Sequence, residues 1–129
     1  MTLEELDSSL PNGFHDSLLL GLKYDFEASR VELILDIDFS DTSKNAKKVK
    51  NRRDILVLES IHYFLLEKPE KMNSMGQPQL IDVGFSYDKV NLPSGAAFDS
   101  KTSAWIFLNR WNSFIHLRCA RTTLTYVVK

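Results

Sequence analysis

Between Val31 and Phe39 the chain alternates with a period of two. Val31, Leu33, Leu35, Ile37 and Phe39 fall on one side, Glu32, Ile34, Asp36 and Asp38 on the other. That pattern belongs to a strand with one buried and one wet face, and a slip of one residue would exchange the faces. A preceding run sets Leu18, Leu20, Leu22 and Tyr24 against Ser17, Leu19, Gly21 and Lys23, with turn residues from Asp25 to Arg30 between the two runs. The pair reads as an antiparallel hairpin.

Other segments extend the pattern. Ile55 to Leu66 fits two templates. As a strand it sets Ile55, Val57, Ile61, Tyr63 and Leu65 opposite Leu56, Leu58, Phe64 and Leu66; as a helix it gives a stripe of Ile55, Leu58, His62, Leu65 and Leu66. The β-branched and aromatic content favours the strand. Further strands are expected over Leu80 to Tyr87, with Gly84 marking a bulge, and over Ala104 to Asn109, Phe114 to Cys119 and Thr122 to Val128. Pro69 to Pro78 and Asp88 to Ser103 read as loops. At the start, Thr2 and Glu5 have the spacing of a capping box for a short helix bearing Leu3, Leu6 and Leu10, which Pro11-Asn12-Gly13 ends. The expected fold is mainly β: one domain over residues 1–129, an antiparallel curved sheet or sandwich of about six or seven strands, with a short N-terminal helix.

Composition enters as exclusion. A chain of 129 residues with 43% hydrophobic and 26% charged side chains can bury a core without metal or disulfide. Its 16 basic and 17 acidic residues leave no basic surplus, which weighs against a general nucleic-acid binder. A lone cysteine, Cys119, argues against a disulfide-stapled secreted design. No apolar run approaches the length of a membrane span, and the acidic N-terminus has no secretory pattern. The cytoplasm is the expected compartment.

Few residues suggest chemistry. His15 beside Asp16 could be a base with its orienting partner, but neighbours on an extended chain point to opposite faces. A turn in which Asp16 caps amides and His15 packs is the simpler account. His116 and Arg118 share a face with Phe114, next to the turn at Trp111-Asn112-Ser113, and could bind an anion or form a cross-strand ladder. Trp111, Asn112 and Arg118 are therefore candidates for contacting a ligand or partner. His15, His62 and His116 lack metal-ligand spacing, so no metal is expected, and nothing points to a cofactor. Asp36 and Asp38 have the spacing of a close carboxylate pair but occupy a wet face. Lys44 to Arg53 is a basic loop without the aromatics that stack on single-stranded bases.

Leu10-Pro11-Asn12-Gly13-Phe14-His15-Asp16 and Trp111-Asn112-Ser113-Phe114-Ile115-His116 resemble the opening and closing motifs of a family of small uncharacterised bacterial proteins. A middle strand running into a Pro-containing loop, Tyr63 to Pro69, is shared as well, while the lysine-rich stretch from Lys44 to Arg53 is a departure. The resemblance carries no activity and no catalytic residue. Small bacterial β proteins include immunity proteins that neutralise toxins, an analogy of size and fold alone.

The first expectation is a non-catalytic domain that binds a protein partner, immunity-like in character and compatible with a homo-oligomer. The alternative is a small hydrolase or isomerase in which the fold brings His15 and His116 together. A third reading is nucleic-acid binding through the basic loop. Phe14 and Trp111 are expected as buried neighbours that set the two histidines close at one end of the sheet.

Overall fold

The computed structural model describes residues 1–39, 51–70, 77–87 and 102–127. A short helix, α1 (Leu3–Ser9), precedes six strands: β1 (Leu18–Asp25), β2 (Arg30–Asp38), β3 (Asn51–Leu66), β4 (Gln79–Gly84), β5 (Ser103–Leu108) and β6 (Ser113–Tyr126). They form one closed antiparallel barrel in the order β1-β2-β3-β6-β5-β4, with β4 returning to β1. Closure replaces the sandwich alternative. No helix among the described residues is long and apolar enough to cross a membrane.

The alternation of β2 survives intact at its centre. Val31, Leu33, Leu35 and Ile37 are at most 1% exposed, and Phe39 is half-buried beneath a guanidinium. On the outer side Asp36 pairs with Arg53 of the adjacent strand at 3.0 Å, and Ile34 remains exposed. The first strand behaves differently. Leu20 is the extra residue of a bulge, since Leu19 pairs with Leu35 while Gly21 pairs with Ile34. A bulge exchanges the faces of everything beyond it. The side that packs inward is therefore Leu19 and then Tyr24, while Leu18, opposite Asp36, lies outside.

Ile55 to Leu66 is strand throughout. Leu56 and Leu58 point inward, but Ser60 adopts a left-handed φ of 54° and His62 is an extra, unpaired residue. Ile61 consequently joins Phe64 against the core. The partner strand switches face at the matching place. Ile115, Leu117 and Cys119 are inward, then Thr122 and Leu124, with Ala120 and Arg121 exposed between them. That break in period is why two strands were expected over 114–119 and 122–128. The backbone ladder continues across it, so β6 is one strand to Tyr126.

The loop expected over Lys44 to Arg53 does not extend through its last residues. Arg52 and Arg53 belong to β3, whereas Lys44, Lys47, Lys48 and Lys50 lie outside the described residues. Arg52 donates from Nε and Nη2 to the two oxygens of fully buried Asp54, each at 2.7 Å, and its guanidinium lies 4.0 Å from the Phe39 ring centre and 4.9 Å from that of Tyr126. A buried carboxylate held by a bidentate guanidinium keeps its lone pairs satisfied.

One end of the barrel is closed by the N-terminal segment. Thr2 and Glu5 form the expected capping box, and Leu3 and Leu6 enter the core. The backbone N–H and hydroxyl of Thr122 both donate to the Met1 carbonyl at 2.9 Å, and Asn12 Nδ2 donates to the Asp38 carbonyl at 3.2 Å. The segment thus crosses from β6 to β2. Gly13 has φ 58°, and a Cβ there would sit 2.7 Å from Asp7 Oδ1, the atom that accepts the Phe14 N–H. That turn delivers Phe14 into the core at 0% exposure. Phe14→Ala should therefore lower unfolding stability by about 3–5 kcal/mol in urea. A loss below about 1 kcal/mol would show that the end of the barrel does not depend on this ring.

Candidate functional site

The two sequence motifs flank one outer region of the barrel. Strand alternation places Asp82 of β4, Trp105 and Phe107 of β5, and Phe114, His116 and Arg118 of β6 outward, because Ile81, Ile106, Ile115 and Leu117 fill the interior. The rings of Phe107 and Phe114 are 5.0 Å apart, and those of Trp105 and Phe114 meet edge-on at 5.6 Å. Gly84 accommodates this layer: a Cβ there would lie 2.0 Å from Trp105 Cζ2. The glycine is a place of close approach rather than a bulge.

His15 sits at one edge. Its Nδ1 is 2.9 Å from Asp82 Oδ1 and its Nε2 is 3.3 Å from Asp16 Oδ2. Asp16 has φ 59°, so the chain is not extended there, and its carboxylate turns back to its neighbour's ring. The two neighbours engage one another because the chain at Asp16 leaves the extended conformation in which their side chains would point apart. The hydrogen bond and charge of Asp82, with the charge of Asp16, raise the His15 pKa above its ordinary 6.5. The ring is 65% exposed, beside a cleft of about 210 Å³ floored by Leu80 and Phe107.

His116 is its opposite. It is 1% exposed although it points outward, because Phe114, Tyr87 and Glu67 cover it. Its Nε2 lies 3.0 Å from Glu67 Oε2 and its Nδ1 lies 3.3 Å from the Tyr87 hydroxyl, which donates to the Ala104 carbonyl at 3.2 Å. Burial pushes the Tyr87 hydroxyl up to about 12, so it serves as a neutral hydrogen-bonding group. The other Glu67 oxygen accepts the Phe114 N–H at 2.8 Å. Glu67 thereby ties the end of β3 to β6, and His116 acts as a bracing residue within that joint.

The turn motif is structural too. Asn112 has φ 49° and its amide donates to Glu70, while the Trp111 N–H donates to Gln79 Oε1 at 3.1 Å. Trp111 is half-buried against the core, less enclosed than Phe14. Arg118 is half-buried on the outer face and forms no ion pair among the described residues. His15 and His116 are not brought to one pocket. Each is engaged by its own carboxylate, and the row Asp82, Phe107 and Phe114 lies between them. Cys119 is inside the barrel, its thiol pushed up to about 11 by burial. Among the described residues no cluster of three metal-ligating side chains occurs.

Asp82, Glu67 and Tyr87 were missed by sequence reasoning. They reach their histidines across 67, 49 and 29 residues, and no short motif encodes such distances. Comparison with family models, curated proteins and solved structures finds no match.

The His15 pair has a direct test. A raised pKa means that the pair's contribution to stability is fully present below 6.5 and is lost as pH rises through the folded value. In an NMR titration the His15 ring should titrate above 6.5, and Asp82→Asn should lower its pKa further than Asp16→Asn does. The reverse ranking would make Asp16 the principal partner.

Proposed function

We propose that this chain is a protein-binding module that contacts its partner through the outer face of β4, β5 and the first half of β6. The observation that carries the reading is an apolar layer on a sheet face that would ordinarily be polar: Trp105, Phe107 and Phe114, continued by exposed Leu80 and Leu65. Aromatic rings at the centre of a patch with charges at its border are the usual composition of a protein interface. Here the border is formed by His15, Asp16 and Asp82.

Two observations support a partner of this size over a small substrate. The barrel interior is occupied by side chains, from Val31 and Leu33 to Ile106 and Leu117. The two clefts that border the β1–β4 pairing, of about 180 and 210 Å³, are each smaller than the range of roughly 300–1,000 Å³ typical of small-molecule sites. The separation of His15 from His116 lends nothing to the hydrolase or isomerase reading. Arg52 and Arg53 are engaged by Asp54 and Asp36, which leaves them less free for phosphates. A cytoplasmic, bacterial setting with an immunity-like role is the specific form of the proposal. Recognition of a second copy of the chain belongs to the same reading.

The test is quantitative capture from a bacterial host with folded variants, each checked by circular dichroism. Leu80→Glu and Phe107→Glu should reduce recovery of the partner at least about tenfold, equivalent to about 1.4 kcal/mol. Thr123→Glu, on the far side of the barrel, should leave recovery unchanged. Equal recovery by all three variants would refute this surface.

A further inference from the structure

The barrel is closed most sparingly between β1 and β4. On its other side β1 pairs with β2 from Leu18↔Asp36 to Asp25↔Arg30, but it meets β4 only at Leu18↔Leu80 and Leu19↔Gln79. Two backbone bonds extend that joint: the Ile81 N–H donates to Ser17 at 2.9 Å and the Asp16 N–H to Ile81 at 3.2 Å. Clefts border it at both ends, one beside Gly21, Leu22 and Trp111, the other beside His15 and Leu80. Leu22 is 38% exposed although its pairing partner Leu33 is 1% exposed, which marks the same place as loosely covered. Immediately beyond the last backbone bond, the His15 side chain spans the joint to Asp82.

We propose that this joint is a pH-sensitive latch, held shut when the His15 imidazolium is clasped between Asp16 and Asp82 and loosened when that ring loses its proton. A doubly protonated ring donates from both nitrogens, one to each carboxylate. A neutral ring has a single N–H. It can keep one of those bonds, and its remaining lone pair then faces an anionic oxygen. The two carboxylates also lose the cation that stood between them. Among the described residues no other charge compensates: the loop contributes Asp16 and β4 contributes Asp82, while the facing residues of β5 and its turn are Phe107 and Asn109. Arg110 is turned away, donating to the Pro78 carbonyl at 2.9 Å, and Asp7 is occupied by the Phe14 N–H. The raised pKa of His15 agrees in sign: cohesion is present below 6.5 and fades as pH rises through the folded value. The latch shares His15, Asp16 and Asp82 with the border of the proposed partner surface, but its action does not depend on a partner.

Amide hydrogen exchange of the full chain, followed by NMR and corrected for intrinsic rates, separates the joint from the rest. The Ile81 and Asp16 amides report on the joint; the Leu33 and Leu56 amides, from residues paired across β2 and β3, serve as controls. Between about pH 6 and pH 9 the protection of the joint should fall about two- to fivefold relative to the controls, the range of an exposed charge pair. His15→Gln should abolish that relative change, and so should Asp82→Asn, which alters a different residue. Parallel behaviour of joint and control amides would overturn the proposal. So would a relative change that persists in His15→Gln, or exchange of the joint only through global unfolding.

Discussion

The ladder between β3 and β6 is the constraint to which the other strands conform. It runs from Asp54↔Tyr126 to Leu66↔Ile115, and both of its strands change face near Ser60 and Ala120. A flat ribbon of that length could not curl round to meet itself; the paired kinks supply the bend that closure demands. They also divide the work. β2 aligns with the first half of β3, from Asn51 to Glu59, while β5 aligns with the first half of β6, from Ser113 to Arg118. Two arms therefore leave the ladder in opposite directions and meet at the β1–β4 joint. Any mismatch in twist between the arms collects there, which gives a physical reason for that pairing to be the shortest.

Buried polar groups serve the same geometry. Asp54 lies within the wall with its oxygens taken by Arg52, and His116 lies beneath aromatic rings with its nitrogens facing Glu67 and Tyr87. Each arrangement satisfies groups that would be costly to bury alone. Arg52 and Asp54 lie two residues apart on β3, whereas Glu67 and Tyr87 reach His116 from far along the chain. Loss of Arg52 would leave the Asp54 carboxylate buried without that partner, and loss of Glu67 would do the same to His116 Nε2. Glu67, Tyr87 and His116 thus help to specify which strand ends meet.

What could be read beforehand follows the range of the interactions involved. The alternation of β2 and the Thr2–Glu5 capping box depend on neighbours within a few residues, and both appear as expected. The strand reading of Ile55 to Leu66 held because its composition outweighed an ambiguous period. Leu20, Ser60 and His62 were opaque: a bulge residue looks like any other until its partner strand is in place. The same opacity split β6 at Ala120. His15 and Asp16 were legible as a pair to examine, yet the role of His15 rests on Asp82, which only closure of the barrel brings near. His116 stood out by its neighbours Trp111 and Phe114, but its burial comes from Glu67 and Tyr87.

Cys119 gains a use from its position. The residue is 2% exposed inside the wall, and with its thiol pushed up to about 11 it is almost wholly protonated at neutral pH. Thiol reagents attack the thiolate, so the closed barrel shields this atom both sterically and electronically. Because it is the chain's single sulfhydryl, its alkylation rate becomes an intrinsic clock for excursions in which the wall parts. No label need be introduced to read that clock, and the folded state is left chemically as it was found.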